Sequence, residues 1–186
     1  MHCTSRMKGF YSKLLLAAAV LVVVAPSVVF GQSSGTTDAT ATILAQITIT
    51  QEQDITFGNV VPGDTAMADP ATNAEAGIFR MTGAPSAPVT VAMILPTHLD
   101  EDGVGTDQLI IEFGATDAQY DITGGAVMPA DGNGTAFDPK TVLTGQSLSV
   151  TGEMDIYLGG KIRARQTQTA GDYTGTVLMT VWYAGS

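Results

Sequence analysis

Cysteine is nearly absent from this chain. Cys3 is the only one in 186 residues, so no intrachain disulfide forms and no cysteine-based metal site is available. Histidine is almost as scarce, with His2 and His98 alone. Basic residues are few: eight Lys and Arg stand against eighteen Asp and Glu, for a formal charge of −10. An acidic chain with scattered cations is a poor partner for nucleic acid or anionic lipid. Aromatic residues make up only 6%, with one tryptophan, which argues against a stacked-ring platform for sugars. A chain this poor in histidine and cysteine also lacks most of the usual equipment for catalysis. The expectation is therefore a non-enzymatic protein with no cofactor.

Long apolar runs are missing too, except near the start. Arg6, Lys8 and Lys13 precede Leu14 to Ala25, and Pro26-Ser27-Val28-Val29-Phe30-Gly31 follows. A basic region, an apolar stretch and small residues at Val29 and Gly31 spell a cleaved export signal over residues 1–31, cut before Gln32. The run is short for a membrane span and is broken by Pro26 and Ser27, so no membrane association is expected after cleavage. No cysteine stands at the cut, which removes a lipoprotein. No glutamate follows Gly9-Phe10, which removes a type IV prepilin. Translation could begin at Met1 or at Met7. The leader takes three of the eight basic residues and none of the acidic ones, so the exported domain is more acidic than the whole. The implied destination is the periplasm, the cell surface or the extracellular space.

Beyond the leader, residues 32–38 are small and polar and read as a flexible tail. Residues 39–186 are rich in threonine and glycine and show period two rather than a helical period. From Ala39 to Thr50 the odd positions are Ala, Ala, Ile, Ala, Ile and Ile. The even ones are polar apart from Leu44. From Tyr173 to Tyr183, Val177, Met179, Val181 and Tyr183 share one face, leaving Leu178 and Trp182 on the other. Shorter candidate strands are Ile55–Phe57, Ile78–Met81, Val89–Leu95, Leu109–Phe113, Leu148–Val150 and Tyr157 through Ile162 to Arg165. Turn signals such as Pro62-Gly63-Asp64, Gly83-Ala84-Pro85, Gly124-Gly125 and Asp131-Gly132-Asn133-Gly134 separate them. Short half-buried strands punctuated in this way predict an all-β, antiparallel sandwich.

Several of these segments recur together in one known family. Ala41 to Ile49 is followed by Asp54-Ile55-Thr56-Phe57-Gly58-Asn59-Val60-Val61-Pro62-Gly63. Gly77 to Gly83 comes next, then Leu158-Gly159-Gly160-Lys161-Ile162, then Gly171-Asp172-Tyr173-Thr174-Gly175-Thr176-Val177 and Val181-Trp182-Tyr183. This order, over residues 39 to 184, resembles the exported bacterial DUF4402 family and is similar in layout to spore-coat-U-like and fimbrial subunits. The resemblance implies an immunoglobulin-like β-sandwich and a link to chaperone-assembled surface fibres. The chain departs from the pattern at Ala45-Gln46, where the family usually has proline. It also lacks the cysteine pair frequent in the related proteins.

Candidate sites are sparse. His98 adjoins Asp100, but no activated nucleophile is marked beside it, and it reads as an exposed loop histidine. Asp100, Asp102 and Asp107 are the calcium candidates, because clustered carboxylates suit a hard cation. The EF-hand spacing fails around them, and the segment reads as a solvated acidic loop. A smaller group is Asp131, Asn133 and Asp138. Gly124-Gly125 and Gly159-Gly160 lack the spaced glycine fingerprint and a following helix, so they read as turns or bulges rather than phosphate loops.

The interface candidates are Ile43, Leu44, Ile47, Ile49, Leu178 and Trp182, apolar side chains that the alternation sends to an edge or away from the core. The stretch 39–49 admits two readings. As an ordinary first strand it closes its own sandwich. As an exchanged strand it completes a neighbour, through main-chain hydrogen bonds and alternate side-chain pockets. The functional expectation is an exported structural or adhesive surface protein, fimbrial or coat-subunit-like. Its expected partners are its own copies or a periplasmic chaperone. The alternative is a monomeric extracellular binding module for surface polysaccharide or calcium.

Overall fold

In a computed structural model, residues 34–72, 74–102, 107–123 and 134–185 are described. The expected export signal, Gly124-Gly125, Asp131 and Asn133 lie outside them. The chain divides into two compact units, Met1–Ala41 and Thr42–Ser186. In the first, residues 34–41 are exposed and have no regular secondary structure. The second is all-β. Among the described residues there is no helix, and so none long and apolar enough to cross a membrane.

Among the described residues, thirteen strands follow one another. The first seven are β1 (Thr48–Gln53), β2 (Thr65–Ala68), β3 (Gly77–Thr82), β4 (Pro88–Ile94), β5 (His98–Glu101), β6 (Gln108–Glu112) and β7 (Ala118–Asp121). The rest are β8 (Thr135–Phe137), β9 (Leu143–Ser147), β10 (Glu153–Leu158), β11 (Gly160–Arg163), β12 (Tyr173–Thr174) and β13 (Leu178–Tyr183). They form three antiparallel sheets, ordered β1-β3-β10-β7-β8, β13-β4-β9 and β12-β5-β6-β11-β2.

The first two sheets make the sandwich. Met81 of β3 and Met154 and Ile156 of β10 meet Val89 and Val91 of β4, Met179 of β13 and Leu148 in one buried cluster. The alternation of each strand supplies the inward residues, as period two requires. The third sheet has its own cluster, Leu99, Leu109, Ile111, Ile162 and Ala164, covered in part by Phe57, Val60 and Tyr173.

β10 is buried along nearly its whole length, between β3 on one side and β7 on the other. Its second face carries Asp155 and Tyr157, and Tyr157 packs with Ala76 and Ile78. Asp155 stands opposite Arg80 in the β3 register. Arg80 donates to it twice, from Nε to Oδ1 at 2.9 Å and from Nη2 to Oδ2 at 3.1 Å. That forked pair satisfies a carboxylate that burial would otherwise penalise heavily. The same hydrogen bonds push the Arg80 pKa above its already high ordinary value.

Four expectations change in detail. The first strand covers Thr48–Gln53 rather than 39–50, because its partner β3 ends at Thr82, opposite Thr48, and leaves nothing to pair with residues upstream. Tyr173–Tyr183 is not one strand. β12 pairs with β5 in one sheet and β13 with β4 in another. The break falls at Gly175, where a Cβ would sit 2.6 Å from Leu99 Cδ2. His98 to Glu101 is a strand rather than a loop, since β6 and β12 flank it. Ile55–Phe57 and Leu148–Val150 are irregular.

β10 and β11 are separated by Gly159 alone and so carry one chain from the sandwich into the third sheet. A Cβ at Gly159 would lie 2.2 Å from the Ala68 carbonyl oxygen and 2.6 Å from Pro70 Cδ. Backbone, not a pliable side chain, is in the way. Gly159→Ala is expected to lower stability by about 2 kcal/mol, the cost of overpacking a tight site. Urea unfolding checks it, and an unchanged midpoint would show that the link has slack.

Candidate interaction surface

The chain entering β1 has apolar side chains and no ladder. Residues 42–47 belong to no strand. Ile43 is 96% exposed and Leu44 45%. Ile47 is the first residue to pack against the main core. Ile49, on β1 opposite Met81, is still 37% exposed because β1 is the edge of its sheet. Tyr183 fixes the root of this segment: its hydroxyl donates to the Ala45 carbonyl at 2.6 Å and accepts the Ala84 N–H at 2.7 Å.

Leu178 and Trp182 lie elsewhere. Both point away from the core on β13, an edge strand of the three-stranded sheet. Leu178 is paired across the ladder with Ile94, and the two are 55% and 68% exposed. Trp182 faces Thr90. The six expected interface residues therefore form two groups, one on the entering chain and β1, the other on the outer face of β13. Ile94 joins the second group. Its place on the apolar strand β4 was readable, but its pairing with Leu178 was not.

A cleft of about 980 Å³ opens where β1 ends. Leu109, Ile111 and Ile162 lie at its base. Phe57 to Val60 form one wall and Tyr173 to Val177 the other. Gly58 turns the first wall with φ of 66°, a conformation that glycine adopts freely. Neither Phe57–Val60 nor Gly175–Val177 belongs to a strand, so these stretches of main chain are not engaged in a ladder. Asp54 and Asp172 are the charged residues of the lining, and no Lys or Arg contributes.

Asp107 holds the second wall in place. Its carboxylate accepts from Gln108 N–H at 2.8 Å, Gln168 Nε2 at 2.9 Å, Thr169 N–H at 3.0 Å and the Tyr173 hydroxyl at 3.1 Å. Arg165 approaches to 3.6 Å. The Thr169 N–H has the largest influence, and together these donors bring the Asp107 pKa down to about 2 from 3.8 against a smaller opposing push from desolvation. Desolvation pushes the Tyr173 hydroxyl up.

The other calcium candidates point to different tasks. Asp100 accepts from Gln108 Nε2 at 3.1 Å and lies 3.8 Å from His98 Nε2. Asp102 occupies a turn with φ of 51°. Among the described residues, no three His, Cys, Asp or Glu side chains are grouped to hold a metal ion. Asp138 caps its own turn by accepting the Lys140 N–H at 2.9 Å. His98 Nδ1 is 3.0 Å from the Thr97 hydroxyl. The cleft itself was missed from sequence. Its signal was the glycine and threonine run from Gly171 to Thr176, which looked like a turn at Gly171-Asp172 leading into a strand from Tyr173.

The chain belongs to the DUF4402 family, a domain of unknown function, which it matches over residues 47–183. No curated protein matches the sequence. Among solved structures it is similar to a chain of the chaperone–tip adhesin complex of CFA/I fimbriae biogenesis, at 13% identity and a TM-score of 0.38. The likeness covers 75% of this chain and 43%, less than half, of that one.

The Asp107 carboxylate gives a pH prediction. A pKa lowered on folding contributes stability that is complete above about pH 4 and is lost as pH falls through 2. Asp107→Asn is therefore expected to melt at a lower temperature than the native protein at pH 7, with the gap closing towards pH 2. Melting curves across that range check it, and a gap independent of pH would contradict the assignment.

Proposed function

We propose that this is an exported, non-enzymatic structural or adhesive protein of the bacterial surface, resembling a fimbrial or coat subunit, which assembles by strand exchange through residues 39–49. The observation that carries the proposal is the unpaired approach to β1. An uncharged stretch with alternating apolar residues has no partner strand, and Ile43 stands almost wholly in solvent. Main chain outside any strand beside exposed aliphatic side chains is what a neighbouring sheet edge or groove pairs with. Self-association or a periplasmic chaperone supplies that partner. The family resemblance supports the same reading by analogy of fold.

A second reading, a monomeric binding module for surface polysaccharide or calcium, draws support from the cleft beside Phe57 and Tyr173. Light scattering during size-exclusion chromatography separates the two. The chain beginning at Gln32 is expected to form concentration-dependent oligomers, and a version beginning at Thr48 to remain a folded monomer. A full-length chain that stays monomeric at every concentration would overturn strand exchange and direct attention to ligands.

A further inference from the structure

We propose that the cleft at the Gln53 end of β1 receives residues 39–44 of a second copy, so that subunits join head to tail. The inference rests on the reading of residues 39–49 as an assembling strand, and it names the acceptor.

The two halves of this contact sit at opposite ends of one subunit. The entering segment leaves at the Thr48 end of β1, where Thr48 faces Thr82 and Tyr183 holds Ala45. The cleft opens at the other end, past Gln53, and between Gly77 and Thr176. β1 is six residues long, about 20 Å of extended chain, and separates them. With Ala45 anchored, residues 42–44 lie at the far end of β1 from the cleft of their own subunit. A donor site at one end and an acceptor at the other make a heterologous contact, which propagates as a filament unless the rotation closes a ring.

The chemistry of the two surfaces agrees. The cleft has an aliphatic base and walls whose main chain at Phe57–Val60 and Gly175–Val177 is outside any strand, with threonine hydroxyls at Thr174 and Thr176. An extended strand offers main-chain groups to such walls and alternate side chains to such a base. Residues 39–44 supply Ala39, Ala41 and Ile43 on one face, small enough for a narrow opening. Charge narrows the choice further. Copies of a protein with a net charge of −10 repel one another. The cleft adds Asp54 and Asp172 with no cation, while the chain from Ala39 to Gln51 carries no charge at all. The uncharged stretch enters without a like-charge contact.

Disulfide trapping tests the contact, and a chain whose one cysteine lies in the leader suits it. Ile43→Cys and Thr176→Cys are made singly in the protein beginning at Gln32, mixed, and oxidised. Both positions are exposed, so folding is spared. The expected result is a mixed disulfide dimer in several-fold excess over the product of Ile43→Cys mixed with Val142→Cys, an exposed site outside the cleft. Equal trapping at both sites, in protein that light scattering shows to be assembled, would overturn the cleft as acceptor and leave strand exchange standing. No trapping and no assembly would overturn both. A rise in melting temperature with neutral oligosaccharides in that unassembled protein would assign the cleft to glycans instead.

Discussion

The pairing of β10 with β3 organises the structure. β10 is central to its sheet and buried on both faces, so it has no solvent side on which to place a polar residue. Asp155 is nevertheless there, and the forked hydrogen bonds from Arg80 make its burial tolerable. On the other flank Asp155 stands opposite Asp121, a like-charged and equally buried neighbour. Asp121 has separate donors, the Thr123 N–H and hydroxyl, so the two carboxylates do not compete for one partner. With this register fixed, Met154 and Ile156 face the sandwich core, and the chain continues through Gly159 into the third sheet.

The arrangement leaves its edges where function can use them. β1 and β13 each form one edge of a sheet of the sandwich, and both carry exposed aliphatic or aromatic side chains. Natural sheets usually blunt such edges with charge or proline. β13 contains neither, and β1 has only Glu52. In the proposed assembly, that omission would cost little in a dilute monomer and favour association at high concentration. In the proposed assembly, the acidic character of the rest of the domain would restrict association to the uncharged stretches.

Much of this was legible in the sequence. The all-β, antiparallel character was read from the alternation in Ala39–Thr50 and Tyr173–Tyr183, from the shorter candidate strands and from the glycine punctuation. The outward placement of Leu178 and Trp182 followed from the same period. What could not be read was where a period-two stretch finds a partner. Residues 39–47 alternate as well as β1 does, but β3 stops at Thr82 and the ladder stops with it. The sheet change at Gly175 depends on the close approach of Leu99, a contact distant in sequence. Asp107 looked like part of a solvated acidic loop, because its donors at Gln168, Thr169 and Tyr173 lie some sixty residues away. Local pattern gives strands and faces, whereas edges and clefts depend on long-range pairing.

Amide hydrogen exchange across residues 39–47 tests the central claim most directly, comparing assembled protein with the dilute monomer. The account predicts exchange near the free-chain rate for residues 39–44 in the monomer, and protection of the same amides once subunits assemble. Fast exchange in both states would show that this stretch never becomes a strand. Strong protection already in the monomer would show that it belongs to its own sandwich. Either result would contradict assembly through the entering chain.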